Sequence, residues 1–179
     1  YPTIPFPLKI NDLEGEPLWG NDNPNIFLKF QNYIIDRNIK DRNIKPNLIL
    51  ILKRGSINNC LNSPDYNIQN GKERRCLPDD FFLKLTQNLK KKKKNFKIVE
   101  LENLPFIEQV RLFYQSKVVI GIHGGGLSNI IFCQKGIKVL ELGPRLVPCY
   151  KNLSHNLKLK YYYQESHKFF DCLELNLFT

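Results

Sequence analysis

Val118-Val119-Ile120-Gly121-Ile122-His123-Gly124-Gly125-Gly126-Leu127-Ser128-Asn129 is the stretch whose reading decides the fold. An apolar strand runs into a histidine and three consecutive glycines, and an apolar helical pattern of Leu127, Ile130 and Ile131 follows at once. That order predicts a strand, a tight turn and a helix N-terminus. Glycine lets a backbone approach a ligand closely, and the first N–H groups of a helix lack internal partners. Those donors and the positive end of the helix dipole favour an anion, phosphate above all. A diphosphate site over Gly124, Gly125, Gly126, Leu127, Ser128 and Asn129 is the leading expectation.

Outward from this turn, Leu48 to Leu52 is a fully apolar strand of the kind buried on both faces, closed by Lys53-Arg54-Gly55. Asn25 to Asn43 reads as a helix with Phe27, Phe30, Ile34 and Ile35 on one face, and Pro46 marks its limit. Residues 55–77 read as a loop. Pro78-Asp79-Asp80 then opens a helix bearing Phe81, Phe82, Leu85 and Leu89, with acids in its first turn and lysines in its last. Lys97 to Leu101 predicts a strand, Leu104 to Ser116 a helix, Val118 to Ile122 a strand and Gly126 to Cys133 a helix. A strand from Lys138 to Leu142, a helix from Tyr150 to Leu157 and a strand from Lys160 to Gln164 complete the series. Such alternation predicts an α/β fold, a Rossmann-like parallel sheet with flanking helices. The ligand crevice of such a sheet lies at the carboxyl ends of its strands, and Arg54, His123 and Pro144 all fall just beyond strand ends.

The chain has 179 residues, enough for one well-buried domain. With 42% hydrophobic and 25% charged residues it has an ordinary globular composition. No apolar run approaches the roughly 18 residues of a membrane span. Residues 1–24, rich in proline and carrying Trp19, read as an extended connector from a preceding domain, and 25–179 as the sheet domain. The absence of Met and the start at Tyr1-Pro2 lead us to expect a piece of a longer polypeptide. The net charge of +10 invites a nucleic-acid reading. Much of it, however, is the block Lys90 to Lys94, which has no interleaved aromatics to serve as a stacking platform. Cys60 and Cys76, or Cys149 and Cys172, are pairs that an oxidising compartment would allow, and Cys133 reads as core. No cysteine or histidine spacing suits a metal, and Asn152-Leu153-Ser154 is a glycosylation sequon.

Each candidate side chain carries two readings. His123 is either a satisfied turn histidine or a hydrogen-bond donor to phosphate. Arg54 either forks onto phosphate or is an exposed cation or a partner of Asp79 or Asp80. Arg75 and its neighbour Arg74 precede a helix, as loop cations or as nucleotide contacts. Glu108 sits where a carboxylate suits a helix start on structural grounds alone. Glu141 either accepts from ribose hydroxyls or is a core-edge carboxylate satisfied by backbone amides. The dinucleotide fingerprint, the P-loop and the GxSxG elbow are all absent.

Taken in order, Phe106-Ile107-Glu108-Gln109-Val110, the glycine turn with Ile130-Ile131-Phe132, and Gly136-Ile137-Lys138-Val139-Leu140-Glu141-Leu142 resemble glycosyltransferase family 61. Leu50-Ile51-Leu52-Lys53-Arg54 resembles its strand ending in Arg, and Arg75-Cys76-Leu77-Pro78-Asp79-Asp80 its Arg-containing lead into a helix. The likeness covers roughly residues 46–165. Gly125 stands where that family usually has Ala, Ser128 where it has Thr, and Gln134-Lys135-Gly136 replaces a PPG-like turn.

The resemblance implies one half of a two-domain GT-B enzyme, the half that holds the donor. Its implied reaction is inverting transfer of a sugar from a nucleotide-sugar, a UDP-sugar above all, to a hydroxyl of a glycan or glycoprotein. His123 and Arg54 are then the catalytic side chains, the glycine turn holds the diphosphate, and Arg75, Glu108, Glu141 and Pro144 edge the nucleotide. No metal or other cofactor is implied, and no nucleic-acid partner. The general base falls outside the chain, so the isolated piece is expected to be inactive. By resemblance a eukaryotic parent is Golgi- or ER-lumenal, held to the membrane only through an anchor N-terminal to this piece. A noncatalytic nucleotide-sugar-binding module is the alternative, and a basic nucleic-acid-binding domain a more distant one.

Overall fold

Leu48–Leu52, strand β1, is buried at every position. A run of β-prone apolar side chains that can bury both faces belongs in the middle of a parallel sheet, and β1 lies there. The computed structural model describes residues 24–53, 79–143 and 146–165. Besides β1 these contain strands β2 (Phe96–Val99), β3 (Ser116–Ile122), β4 (Lys138–Gly143) and β5 (Lys160–Glu165). The helices are α1 (Pro24–Asn38), α2 (Asp79–Lys91), α3 (Phe106–Gln115) and α4 (Pro148–Asn156). A short 3-10 turn spans Leu101–Asn103, and a longer 3-10 helix, Gly125–Phe132, follows the glycines. The five strands are all parallel in the order β2-β1-β3-β4-β5, the expected Rossmann-like α/β arrangement.

Strand alternation sorts the core into two layers. Ile49 and Ile51 join Val118, Ile120, Ile122, Leu140 and Leu142 on the face covered by Phe81, Phe82, Leu85 and Leu89 of α2. Leu48, Leu50 and Leu52 join Val119 and Val139 on the other face, with side chains of α1, α3, α4 and the Gly125–Phe132 helix. The chain runs from β1 outward to β2, then back past β1 to β3. Because parallel crossovers are right-handed, that reversal sends α2 and α3 to opposite faces. Full burial of one such Leu, Ile or Phe contributes about 1.5–3 kcal/mol, so the two layers supply the main driving force.

Most element ends lie within a few residues of the sequence expectation, and three differences have local reasons. Helix α1 ends at Asn38, five residues short of the expected Asn43. Asn38 Nδ2 donates to the Ile34 carbonyl at 2.7 Å, and Asp41 Oδ1 accepts from the Asn43 amide at 2.9 Å. Such side-chain bonds to nearby backbone compete with helix continuation. Ser116, expected as the end of a helix, opens β3, and its hydroxyl donates to the Leu112 carbonyl at 2.6 Å.

The third difference is the element after the glycines, a 3-10 helix where the pattern predicted an α-helix. In a 3-10 helix residues three apart lie in line. Leu127, Ile130 and Cys133 have that spacing and are all buried, whereas Ile131, one of the side chains that suggested an α-helix, is only half-buried.

Cys133 is core, as expected, and burial pushes its thiol well above the usual range. Cys149 is an exposed free thiol. Cys60, Cys76 and Cys172, and residues 1–23 of the connector expected over 1–24, lie outside the described residues, while Pro24 opens α1.

Candidate functional site

β1 and β3 are neighbours whose onward connections leave in opposite directions, which makes their carboxyl ends the switch point of the sheet. A crevice of about 360 Å³ lies there. Its apolar lining comes from Leu52, Ile122, Leu101 and Leu127, and its polar lining from Lys53, Glu102, Gln109 and Asn129. Gly124, Gly125 and Gly126 form the remaining wall. The lysine block Lys90 to Lys94 precedes the start of β2 and so occupies the opposite, amino edge of the sheet.

The glycines differ in what they do. Gly124 is extended at φ 162° and ψ 170°, a conformation open to any residue. A Cβ on Gly126 would lie 3.0 Å from Leu101 Cδ1, so here the missing side chain permits a close approach. A Cβ on Gly125 would meet nothing within 4 Å. The Ala usual at that position in the resembling family therefore fits this backbone. Gly136, which survives in the altered PPG-like turn, has φ +79° and needs glycine for its conformation.

The amide donors also differ. The Leu127 amide donates to the Gly124 carbonyl at 2.9 Å and closes the first 3-10 turn. It is therefore occupied within the turn. The amides of Gly125 and Gly126 precede that first bond and have no backbone partner among the described residues.

On the flank of the turn stands a histidine network. His123 Nδ1 lies 2.5 Å from Glu141 Oε1, and the Tyr161 hydroxyl donates to Glu141 Oε2 at 2.6 Å. The register makes this possible, because Gly121 pairs with Glu141 and Glu141 with Tyr163 across β3, β4 and β5. His123 and Tyr161, each two residues from one of those partners, therefore share the face of Glu141, while a Cβ on Gly121 would meet Leu52 Cδ1 at 3.0 Å and Leu127 Cδ2 at 3.2 Å. The His123 amide donates to the Leu142 carbonyl at 2.7 Å. Its ring lies 5.2 Å from that of Tyr150, whose hydroxyl donates to the Gly124 carbonyl at 2.7 Å. Burial, followed by the bond to Glu141, pushes the Tyr161 phenol well above its usual range, so Tyr161 remains a donor.

The structure thus gathers Gly124, Gly125, Gly126, Leu127 and Asn129 at one crevice. His123 adjoins the turn without joining that lining, and Ser128 is exposed. Glu141 has no exposed surface and both of its oxygens are engaged, by His123 and Tyr161 rather than by backbone amides or ribose. Glu108 is not part of the crevice lining and forms a half-exposed pair with Lys97 at 3.5 Å. Arg54, Arg75 and Pro144 lie outside the described residues.

Sequence reading missed three polar residues of the lining. Lys53 and Glu102 follow the ends of β1 and β2, and strand-end position was the available signal. Gln109 holds the walls together: its Nε2 donates to the carbonyls of Leu101 at 2.9 Å and Leu104 at 3.0 Å. Its Oε1 accepts from Asn129 Nδ2 at 2.8 Å. Its place in the Phe106–Val110 motif was the available signal, but the contact with Asn129, 20 residues away, is decided by packing. Among the described residues no three His, Cys, Asp or Glu side chains gather as a metal-ligand set, and no helix is long and apolar enough to cross a membrane.

Parallel strands, helices on both faces and a crevice walled by glycine at the switch point define a doubly wound, Rossmann-like domain. The family model of glycosyltransferase 61 matches residues 15–140, and the chain belongs to that family. Membership supports glycosyltransferase activity, with a sugar donor and an acceptor as substrates. No curated protein matches the chain.

Proposed function

We propose that this chain is the donor-binding half of a GT-B glycosyltransferase, which moves a sugar from UDP to a hydroxyl of a glycan or glycoprotein with inversion. The observation that carries the reading is the crevice of about 360 Å³ at the switch point, walled by glycines of which Gly125 and Gly126 have amides without a backbone partner among the described residues. The leaving group is a nucleoside diphosphate, so negative charge grows on its β-phosphate as the glycosidic bond breaks. The amides of Gly125 and Gly126 stabilise that charge, with the Lys53 cation on the facing wall and His123 at the flank. Preorganised donors of this kind are worth about 2.7–4 kcal/mol each in comparable sites. Arg54, the next residue after Lys53, adds a second cation in this reading.

Glu102 takes the ribose hydroxyls in place of Glu141, whose oxygens are engaged elsewhere. An acid just beyond the second strand is the usual ribose acceptor of doubly wound folds. The transfer runs without a metal in this reading. The base that accepts the acceptor's proton belongs to the partner half, so the chain alone binds donor without turnover.

Calorimetry of the chain against a panel of UDP-sugars and UDP tests the reading. Binding that falls at least tenfold in His123→Ala but not on neutralising Lys90 to Lys94 is expected. Loss confined to the lysine variant, with a steep salt dependence, would refute it in favour of polyanion binding.

A further inference from the structure

Glu141 is a carboxylate without solvent exposure, and a bare buried carboxylate is costly unless its oxygens are matched. Here Oε1 lies 2.5 Å from His123 Nδ1, and Oε2 accepts the Tyr161 hydroxyl at 2.6 Å. An ionised carboxylate only accepts, so the proton between it and the imidazole has to come from Nδ1. The Tyr161 hydroxyl donates a hydrogen bond to the second oxygen and keeps its proton. The Tyr150 ring lies against the imidazole, and its hydroxyl is tied to the Gly124 carbonyl.

We propose that Glu141 is a positioning residue, which holds His123 with Nδ1–H inward and leaves Nε2 as the ring atom for a ligand at the glycine turn, while Tyr161 locks the carboxylate in that orientation. The hydrogen bond made by one imidazole nitrogen decides what the other can do. This deepens the donor-site reading and rests on it only for the identity of the ligand that Nε2 meets, an anionic phosphate oxygen, to which Nε2 donates when the ring takes up a second proton from solvent while Nδ1–H stays on Glu141.

The test reads the tautomer directly, in long-range proton–nitrogen spectra of the full chain labelled with 15N-histidine at mildly alkaline pH, the His123 signals being assigned by their loss in His123→Gln. Wild-type Nδ1 is expected to carry its proton. In Glu141→Gln, Tyr161 continues to donate to the amide oxygen, which turns the NH2 group toward Nδ1 and moves the ring proton to Nε2. Adding Tyr161→Phe frees the amide to turn its oxygen to Nδ1, and the Nδ1–H form returns. A carboxylate with a purely packing role gives no such reversal.

A wild-type spectrum with the proton on Nε2 alone, or averaged over both nitrogens, overturns the proposal. That spectrum decides even if Glu141→Gln does not fold, and Tyr161→Phe alone, which keeps the carboxylate, is expected to retain Nδ1–H. UDP is then titrated into the wild type, where a shift of the Nε2 resonance is expected. An intact Nδ1–H signal with no response to UDP refutes the donor-site reading and upholds the positioning role.

Discussion

Gly125→Ala and Gly126→Ala differ by one position in the same turn, and the structure separates their effects. Neither glycine has a positive φ in the range that alanine avoids. Each substitution therefore gains about 0.4–1 kcal/mol by restricting the unfolded chain, a gain that cancels between the two. At Gly125 the new methyl meets nothing within 4 Å. At Gly126 it lies 3.0 Å from Leu101 Cδ1 and 3.8 Å from Leu52 Cδ1. That is closer than carbon atoms rest, about 3.5–4.0 Å, so Leu101 has to give by roughly a few tenths of an ångström. Leu101 is a buried core residue, and forced rearrangement of a packed core costs about 1–3 kcal/mol.

Gly126→Ala is accordingly expected to be about 1–3 kcal/mol less stable than Gly125→Ala. Because Leu101 and Leu52 also line the crevice, it should bind UDP more weakly as well. Urea titration measures the difference, read from the midpoints with m unchanged. Equal midpoints for the two variants would refute the close approach at Gly126, and with it this account of the turn.

Three further outcomes follow from the same coordinates. Gln109→Ala removes one bridging bond to Asn129 and two to backbone carbonyls. It should cost about 1–3 kcal/mol, and a double-mutant cycle with Asn129→Ala should show coupling of at least about 0.5 kcal/mol; additive losses would exclude the bridge. The Tyr161 phenol is raised by burial and then by Glu141, so the folded state keeps a proton that the unfolded chain releases near pH 10. That contribution is complete below pH 10 and is lost as pH rises above it; Tyr161→Phe should flatten this alkaline decline in urea titrations at stepped pH. Burial, then Lys94 and Lys138, lowers the Lys117 ammonium, so its charged form opposes folding at neutral pH and the penalty fades as pH rises. Lys117→Met should raise the midpoint at pH 7, by more in low salt than in high; a lowered midpoint would contradict the sign.

Much of this architecture was legible in the chain alone. Leu48–Leu52 announces a central strand because its side chains cannot be solvated on either face, and the alternation of strands and helices implies parallel pairing. Gly124-Gly125-Gly126 marks the carboxyl edge, where the crevice lies. These are local signals, carried by periodicity and by what a glycine backbone permits. The type of helix after the turn escaped, since over so short an apolar run spacings of about 3.0 and 3.6 residues read alike, and buried partners decide between them.

The reach of side chains across strands was decided by the tertiary structure. Glu141 meets His123 and Tyr161 because the register of three strands places all three side chains on one face, and Gln109 meets Asn129 because α3 and the Gly125–Phe132 helix pack on the same layer. A residue's neighbours in the chain set its backbone. Its chemistry here is set by partners 18 to 20 positions away, which come within hydrogen-bond distance only once the sheet has formed.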